Sequence, residues 1–187
     1  MDILLMGPPG AGKGTQGAIL GQALGLPKFA TGDLLRDAVK RGTPLGQKAK
    51  AVMEAGHLVG DDIILGVVRE ELGKPEAAKG VIFDGVVRTI PQAEGIERIL
   101  GEKRRKMDAV LFFDVSDEEI LARLERRREI EGRADDDPAA VATRLRAYRD
   151  QTAPVLEWYE QRGSVKRIPA VGSVDGIATR VRRALGT

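Results

Sequence analysis

Residues 7–13, Gly7-Pro8-Pro9-Gly10-Ala11-Gly12-Lys13, constrain this chain more than any other stretch. They follow Asp2-Ile3-Leu4-Leu5-Met6, which reads as a short buried strand, and precede a segment with helical spacing over 14–24. A glycine-rich turn between a strand and a helix can aim successive backbone N–H groups at an anion. Glycine is needed there because side chains block the approach and some positions require positive φ. A lysine closing the turn would reach the β- and γ-phosphates of a nucleotide, and the helix dipole would favour the same charge.

The rest of the chain alternates in the same way. Val81-Ile82-Phe83, Ala109–Val115 and Val165–Ile168 read as strands, and 26–30 as a short one weakened by Pro27. Helical patterns cover 33–41, 44–55, 61–72, 138–162 and 173–185, with Gly42, Gly56 and Gly60 as punctuation. Ser116-Asp117-Glu118-Glu119 has the form of a capping box, and Pro138 suits a first helical turn. In the first helix, Ala18, Ile19, Ala23 and Leu24 are expected to share the apolar face. Strands alternating with amphipathic helices predict an α/β fold: a central parallel sheet of about five strands between two helical layers. One domain over 1–187 is expected, with 30–59 as a small helical insertion.

Composition excludes several classes. The 187 residues include no cysteine and a single histidine, His57, so disulfides, a cysteine zinc site and a histidine-based triad are ruled out. A formal charge of +2 is too small to indicate nucleic acid. No apolar run approaches the roughly 20 residues that span a bilayer, and residues 1–6 lack the charged start of a secretion signal. A cytoplasmic protein is expected. Arg123, Arg126, Arg127, Arg128 and Arg133 crowd one span, followed by Asp135-Asp136-Asp137. Such a run is ordinarily a solvated helix end unless the chain needs an anion site.

The lysine is followed by Gly14 and then Thr15. With that extra glycine, Gly7-Pro8-Pro9-Gly10-Ala11-Gly12-Lys13-Gly14-Thr15 resembles the adenylate kinase family of nucleoside monophosphate kinases, which transfer a phosphoryl group from MgATP to AMP. The resemblance covers nearly the whole chain. It implies a P-loop three-layer sandwich with ATP held by Gly10, Ala11, Gly12, Lys13, Gly14 and Thr15. Thr31-Gly32-Asp33-Leu34-Leu35-Arg36 looks like the element whose threonine and arginine meet the acceptor base and phosphate. Gly56-His57-Leu58-Val59 resembles the segment whose backbone flanks the AMP adenine. Asp84-Gly85, Arg88 and Gln92 resemble the D-G-[FY]-P-R-x-x-x-Q signature: the resemblance implies Asp84 beside Mg²⁺ in its outer shell, Gly85, Val86 and Val87 against AMP, Arg88 on the AMP phosphate and Gln92 on the base. Glu131-Gly132-Arg133-Ala134-Asp135-Asp136 looks like the lid, flanked by Arg123, Arg127 and Arg144. Arg88, Arg123, Arg133 and Arg144 would then act with Lys13 on the transferring group, Arg127 on ATP, and Arg133 and Arg144 also on AMP. Gly172 lies in a late loop similar to one that touches the ATP adenine. The lid, 126–136, is short and without zinc, with about ten residues between its helices. A monomer is implied.

Four positions depart from the family spelling, all on the acceptor side: Ala30, Gly60, Val86 and Val87. Val86-Val87 replaces an aromatic-proline pair, and a cis bond without proline costs about 2.5–4 kcal/mol. The turn carrying Arg88 is therefore expected to be reshaped or looser, with weakened AMP binding. A UMP/CMP-type kinase, an ATP-binding module with impaired transfer and an ATP-hydrolysing switch remain as alternatives; Thr31, Thr89 and Gln92 favour AMP.

Overall fold

Successive residues of a strand face opposite sides of a sheet, so a strand buried on both sides must be apolar throughout. Strand β1 (Asp2–Met6) is buried along its length and apolar from Ile3 to Met6, with Asp2 as its one charged residue, in the computed structural model, which describes residues 1–55 and 57–186. Gly56, read above as a break and as the start of the segment flanking the acceptor base, lies outside the described residues. Ile3 and Leu5 enter one core, with Leu20, Leu111, Phe113, Ile177 and Val181. Leu4 and Met6 enter the other, with Phe29, Phe83, Val110, Ile96 and Val155.

After β1 come α1 (Lys13–Leu24), β2 (Lys28–Ala30), α2 (Thr31–Lys40), α3 (Pro44–Glu54) and α4 (Asp61–Glu71). Then follow β3 (Val81–Asp84), α5 (Ile90–Glu102), β4 (Ala109–Asp114), α6 (Asp117–Glu131) and α7 (Pro138–Ala147). The chain ends with α8 (Ala153–Glu160), β5 (Val165–Pro169) and α9 (Val174–Leu185). The five strands are parallel in the order β2-β3-β1-β4-β5. Helices α1 and α9 cover one face, and α4, α5 and α8 the other. The expected three-layer α/β architecture is present. Edge strand β5 carries the exposed Lys166 and Arg167, which discourage further strand pairing.

Three local expectations change. The buried face of α1 is Gln16, Gly17, Leu20 and Gly21, not Ala18 and Ala23, which are exposed. Close approach is the reason: a Cβ on Gly17 would stand 2.8 Å from Leu5 Cδ1, and one on Gly21 2.9 Å from the Leu26 carbonyl oxygen. The expected helix over 138–162 is divided by a π-turn, Tyr148–Thr152, and closes at Glu160. Pro154 has no N–H to give and its ring crowds the preceding turn, which a widened turn relieves. Helix α6 runs to Glu131 and ends on Gly132 in the left-handed conformation. The segment joining it to α7 is therefore shorter than the ten residues expected, and 126–131 is helical.

Register sets the position of the site. Asp84, the last residue of β3, pairs with Leu5 of β1 on one side and with Ala30 of β2 on the other. The turns after β1, β2 and β3 thus leave the carboxyl edge of the sheet side by side. Strand order reverses at β1, and in open α/β sheets such a reversal opens a crevice at the strand ends.

Candidate active site

The loop after β1 puts Gly10 at φ 84° and Gly12 at φ 91°, a backbone region costly for other residues. Gly12 caps α1, whose first residue is Lys13. The Lys13 ammonium folds back over the loop and donates to the carbonyl oxygens of Gly7 (2.7 Å) and Pro8 (2.8 Å). Burial lowers its pKa to about 8; Asp84 opposes the shift, and Arg88, Arg144 and Arg127 add to it.

This loop forms one wall of a cavity of about 570 Å³ at the carboxyl edge of the sheet. Ligand sites commonly fall between about 300 and 1,000 Å³. Among the described residues, eight Lys or Arg line it against four Asp or Glu. That imbalance suits a polyanion. Burial lowers Arg88 to about 10, with the Arg144 charge as the next cause.

A second wall comes from the turns after β2 and β3. Thr31, buried at the start of α2, donates through Oγ1 to the Gly85 carbonyl oxygen at 3.0 Å. Arg36, one turn on, pairs with Asp33 at 2.5 Å and reaches Asp135 at 3.7 Å across the cavity. His57, Leu58 and Val59 line the same wall. His57 is exposed and its backbone N–H donates to the Val52 carbonyl, which fits a backbone contribution.

Val86 and Val87 are buried and also join the apolar core. Hydrogen bonds tether the turn around them. Arg88 Nε donates to the Gly85 carbonyl (2.9 Å), Arg88 N–H to Gln92 Oε1 (2.8 Å), and Thr152 Oγ1 to the Arg88 carbonyl (2.9 Å). With Thr31 on Gly85, the turn is held at both ends, and the described peptide bonds are all trans. Where a reshaped or looser turn was expected, these hydrogen bonds tether Gly85 and Arg88 on either side of the valines. Two other departures appear as uncapped helices: Ala30 and Gly60 precede α2 and α4 without a side-chain cap. Asp33 in α2 and Asp61 and Asp62 in α4 supply first-turn charge instead.

The third wall is α6, α7 and the segment between them. Asp136 organises it. Its carboxylate, fully buried, accepts two hydrogen bonds from Arg127 (2.6 and 2.5 Å) and one from Arg144 (2.9 Å). Burial alone would raise the Asp136 carboxyl; the Arg127 and Arg144 partners hold it below its ordinary value. A solvated helix end, the ordinary reading of this charge run, does not describe Asp136. Arg144 also donates to the Asp135 carbonyl at 2.9 Å. Arg123 is tied to Glu119 (2.7 Å) and to the Ala170 carbonyl (2.8 Å), and Arg133 to Glu131 (2.5 Å). All four arginines line the cavity.

Two expected site residues stand outside the lining. Ala11 is buried, and Gly172 is not among the residues that line the cavity. The Gly172 loop is nonetheless anchored near the site, through Arg123 on Ala170 and Gln16 Nε2 on the Val174 carbonyl (2.9 Å). Several lining residues had no local sequence signal. Lys28 lies 3.7 Å from both Asp33 and Asp84, and Tyr148 and Thr152 face the cavity from the π-turn.

Asp84 overlooks the phosphate loop: a Cβ on Gly14 would stand 3.5 Å from Asp84 Oδ2. No group of three or more His, Cys, Asp or Glu among the described residues could hold a metal alone. One carboxylate beside a phosphate loop fits a divalent ion held mainly by nucleotide phosphates and water.

Comparison with known proteins agrees with this geometry. The family model described as adenylate kinase matches residues 5–164. The chain belongs to the adenylate kinase family. An adenylate kinase of Thermus thermophilus is 48% identical over 184 residues, covering 98% of this chain and 96% of that protein. The adenylate kinase of Xanthomonas euvesicatoria pv. vesicatoria is 47% identical over 186 residues, covering both chains fully. That of Gemmatimonas aurantiaca is 46% identical over 211 residues, covering 99% of each. Among the described residues, no helix is long and apolar enough to cross a membrane.

Proposed function

We propose that this chain transfers the γ-phosphoryl group of MgATP to AMP, giving two ADP. The observation that carries the reading is the meeting of a phosphate loop with Lys13 and the arginines Arg88, Arg123, Arg127, Arg133 and Arg144 in one cavity. Phosphoryl transfer asks little covalent chemistry of a protein; alignment and electrostatic stabilisation supply most of the acceleration. Arginine suits this, since its planar fork stays charged and grips two phosphate oxygens.

On this reading the loop from Gly10 to Thr15 holds the ATP phosphates, and Lys13 exchanges its loop carbonyls for phosphate oxygens. Arg123 and Arg127 act from the donor side. Arg36 and Arg88 bind the AMP phosphate, with Thr31, the 57–59 backbone and Gln92 around the base. Arg133 and Arg144 face both nucleotides. Asp84 would hold Mg²⁺ through water, and the ion would supply neutralisation of phosphate charge. Residues 30–59 form the acceptor region, and 126–136 the lid that excludes water, a competing acceptor. The proposal extends to one P-loop kinase unit over 1–187, acting as a cytoplasmic monomer on ATP, AMP and ADP.

ADP formation from MgATP and AMP tests it, with Lys13→Met as the control. Loss of one transition-state donor of this kind costs about 10²–10³ in rate. Unchanged activity in that variant would overturn the assignment.

A further inference from the structure

Gln92 is 1% exposed, yet it lines the cavity beside Arg88. Both ends of its amide are engaged within the protein. Nε2 donates to Asp61 Oδ1 at 2.8 Å, and Oε1 accepts the Arg88 N–H at 2.8 Å. Asp61 Oδ1 also accepts from Thr89 Oγ1 at 3.0 Å, which fixes the carboxylate in turn. A carboxylate can only accept and a backbone N–H can only donate. A flipped amide would set Nε2 against the Arg88 N–H and Oε1 against Asp61, so the two partners permit one orientation.

We infer that Asp61 is a specificity-determining residue: it locks the Gln92 amide in the orientation that reads an adenine edge and rejects a hypoxanthine edge. This rests on the proposed placement of the acceptor base against Gln92. Each end of the amide keeps one position for a ligand, a second N–H on Nε2 and a second lone pair on Oε1. Adenine offers a complement, since N1 accepts and the N6 amino group donates. Hypoxanthine presents the reverse, an N1–H donor and an O6 acceptor. A freely turning glutamine could serve either base by flipping. Held by Asp61 and Arg88, it serves one.

Asp61 is the first residue of α4, does not line the cavity and is linked to it through Gln92, so it is a positioning residue. Asp62 occupies the same first turn and gives the helix similar dipole support, which makes it a control. The measurement is kcat/KM for AMP and for IMP, with MgATP as donor, in the unmodified chain and in Asp61→Ala, Asp61→Asn and Asp62→Ala. A good bidentate base contact is worth roughly tenfold to a hundredfold in discrimination. The AMP-over-IMP ratio is expected to fall by about that factor in Asp61→Ala and by less in Asp61→Asn, which keeps an acceptor. In Asp62→Ala it stays put, and KM for ATP is unmoved in all three.

An unchanged ratio in Asp61→Ala, an equal loss with both acceptors, or the same fall in Asp62→Ala would overturn the lock. Should Asp61→Ala not fold, the Asn variant carries the test: a ratio identical to the unmodified chain counts against the inference. The rate of the unmodified chain with AMP reports separately on the proposed function, so failure of that reading is told apart from failure of the lock.

Discussion

The two edges of the sheet handle buried charge in opposite ways. At the amino edge, Asp2 is almost fully buried and Arg105 meets it with both Nε and Nη2. The same carboxylate accepts the Val81 N–H at 3.1 Å, and Arg105 Nη1 donates to the Ala77 carbonyl at 2.8 Å. The buried pair there is satisfied inside the chain. At the carboxyl edge, Lys13 and Arg88 are half-buried among like charges, and both have depressed pKa values. Charge paired internally holds the fold, whereas charge crowded against its own sign attracts an anionic ligand. Both edges share the same strands: Asp2 opens β1, whereas Lys13 and Arg88 follow the turns after β1 and β3.

The largest expected effect tests the amino edge. Arg105→Ala leaves Asp2 buried without its partner, a change that costs about 3–5 kcal/mol. For a chain of this size that lowers Tm by roughly 6–20 °C, while kcat/KM for AMP at 25 °C stays within about twofold. Thermal melts and ADP assays on one preparation check both halves. Lys13→Met should do the converse, with the rate loss given above and a Tm equal to or higher than that of the unmodified chain. A lowered Tm in that variant would break the contrast between the edges.

A smaller effect comes from pH. Lys13 titrates near 8 before nucleotide binds, and a bound polyphosphate raises that value because it stabilises the ammonium. Below about pH 8 the group is protonated in both states, so affinity is insensitive to this titration. Above it, the free protein loses a proton that the complex keeps. ATP affinity is then expected to fall about tenfold per pH unit until the bound-state pKa is passed, with proton uptake on binding. Calorimetry in two buffers of different ionisation enthalpy reads the uptake. Proton release, or constant affinity, would contradict the link to Lys13.

The smallest effect is at Val86-Val87. Proline at a compatible position changes stability by about 0.4–1 kcal/mol, or two- to fivefold in an equilibrium. Because Gly85 and Arg88 are already tethered, replacing the pair by Phe-Pro should move KM for AMP by no more than that. A gain of several tens of fold would show that the valines, and not the tethers, control the acceptor side.

The phosphate loop was legible because all its parts are consecutive: strand, glycines, lysine and helix lie within 24 residues. The acceptor motifs were legible for the same reason, and so was the alternation that predicts the parallel sheet. Asp136 was not. Within its run of three aspartates it has no local signature, and its role exists only because α6 and α7 bring Arg127 and Arg144 to one carboxylate. Lys28 and Asp61 act across similar gaps in sequence. The face of α1 was misread because periodicity counts apolar side chains, whereas close approach to the sheet turns Gly17 and Gly21 inward.

By itself the sequence determined the fold class, the anion-binding turn and the identity of the charged groups available to it. Those properties depend on backbone geometry and hydrophobic period, which neighbouring residues set. Only the tertiary structure decided which charges are neutralised and which stay crowded. The cost of burying a charge depends on what lies within a few ångströms of it, and here those neighbours come from distant parts of the chain.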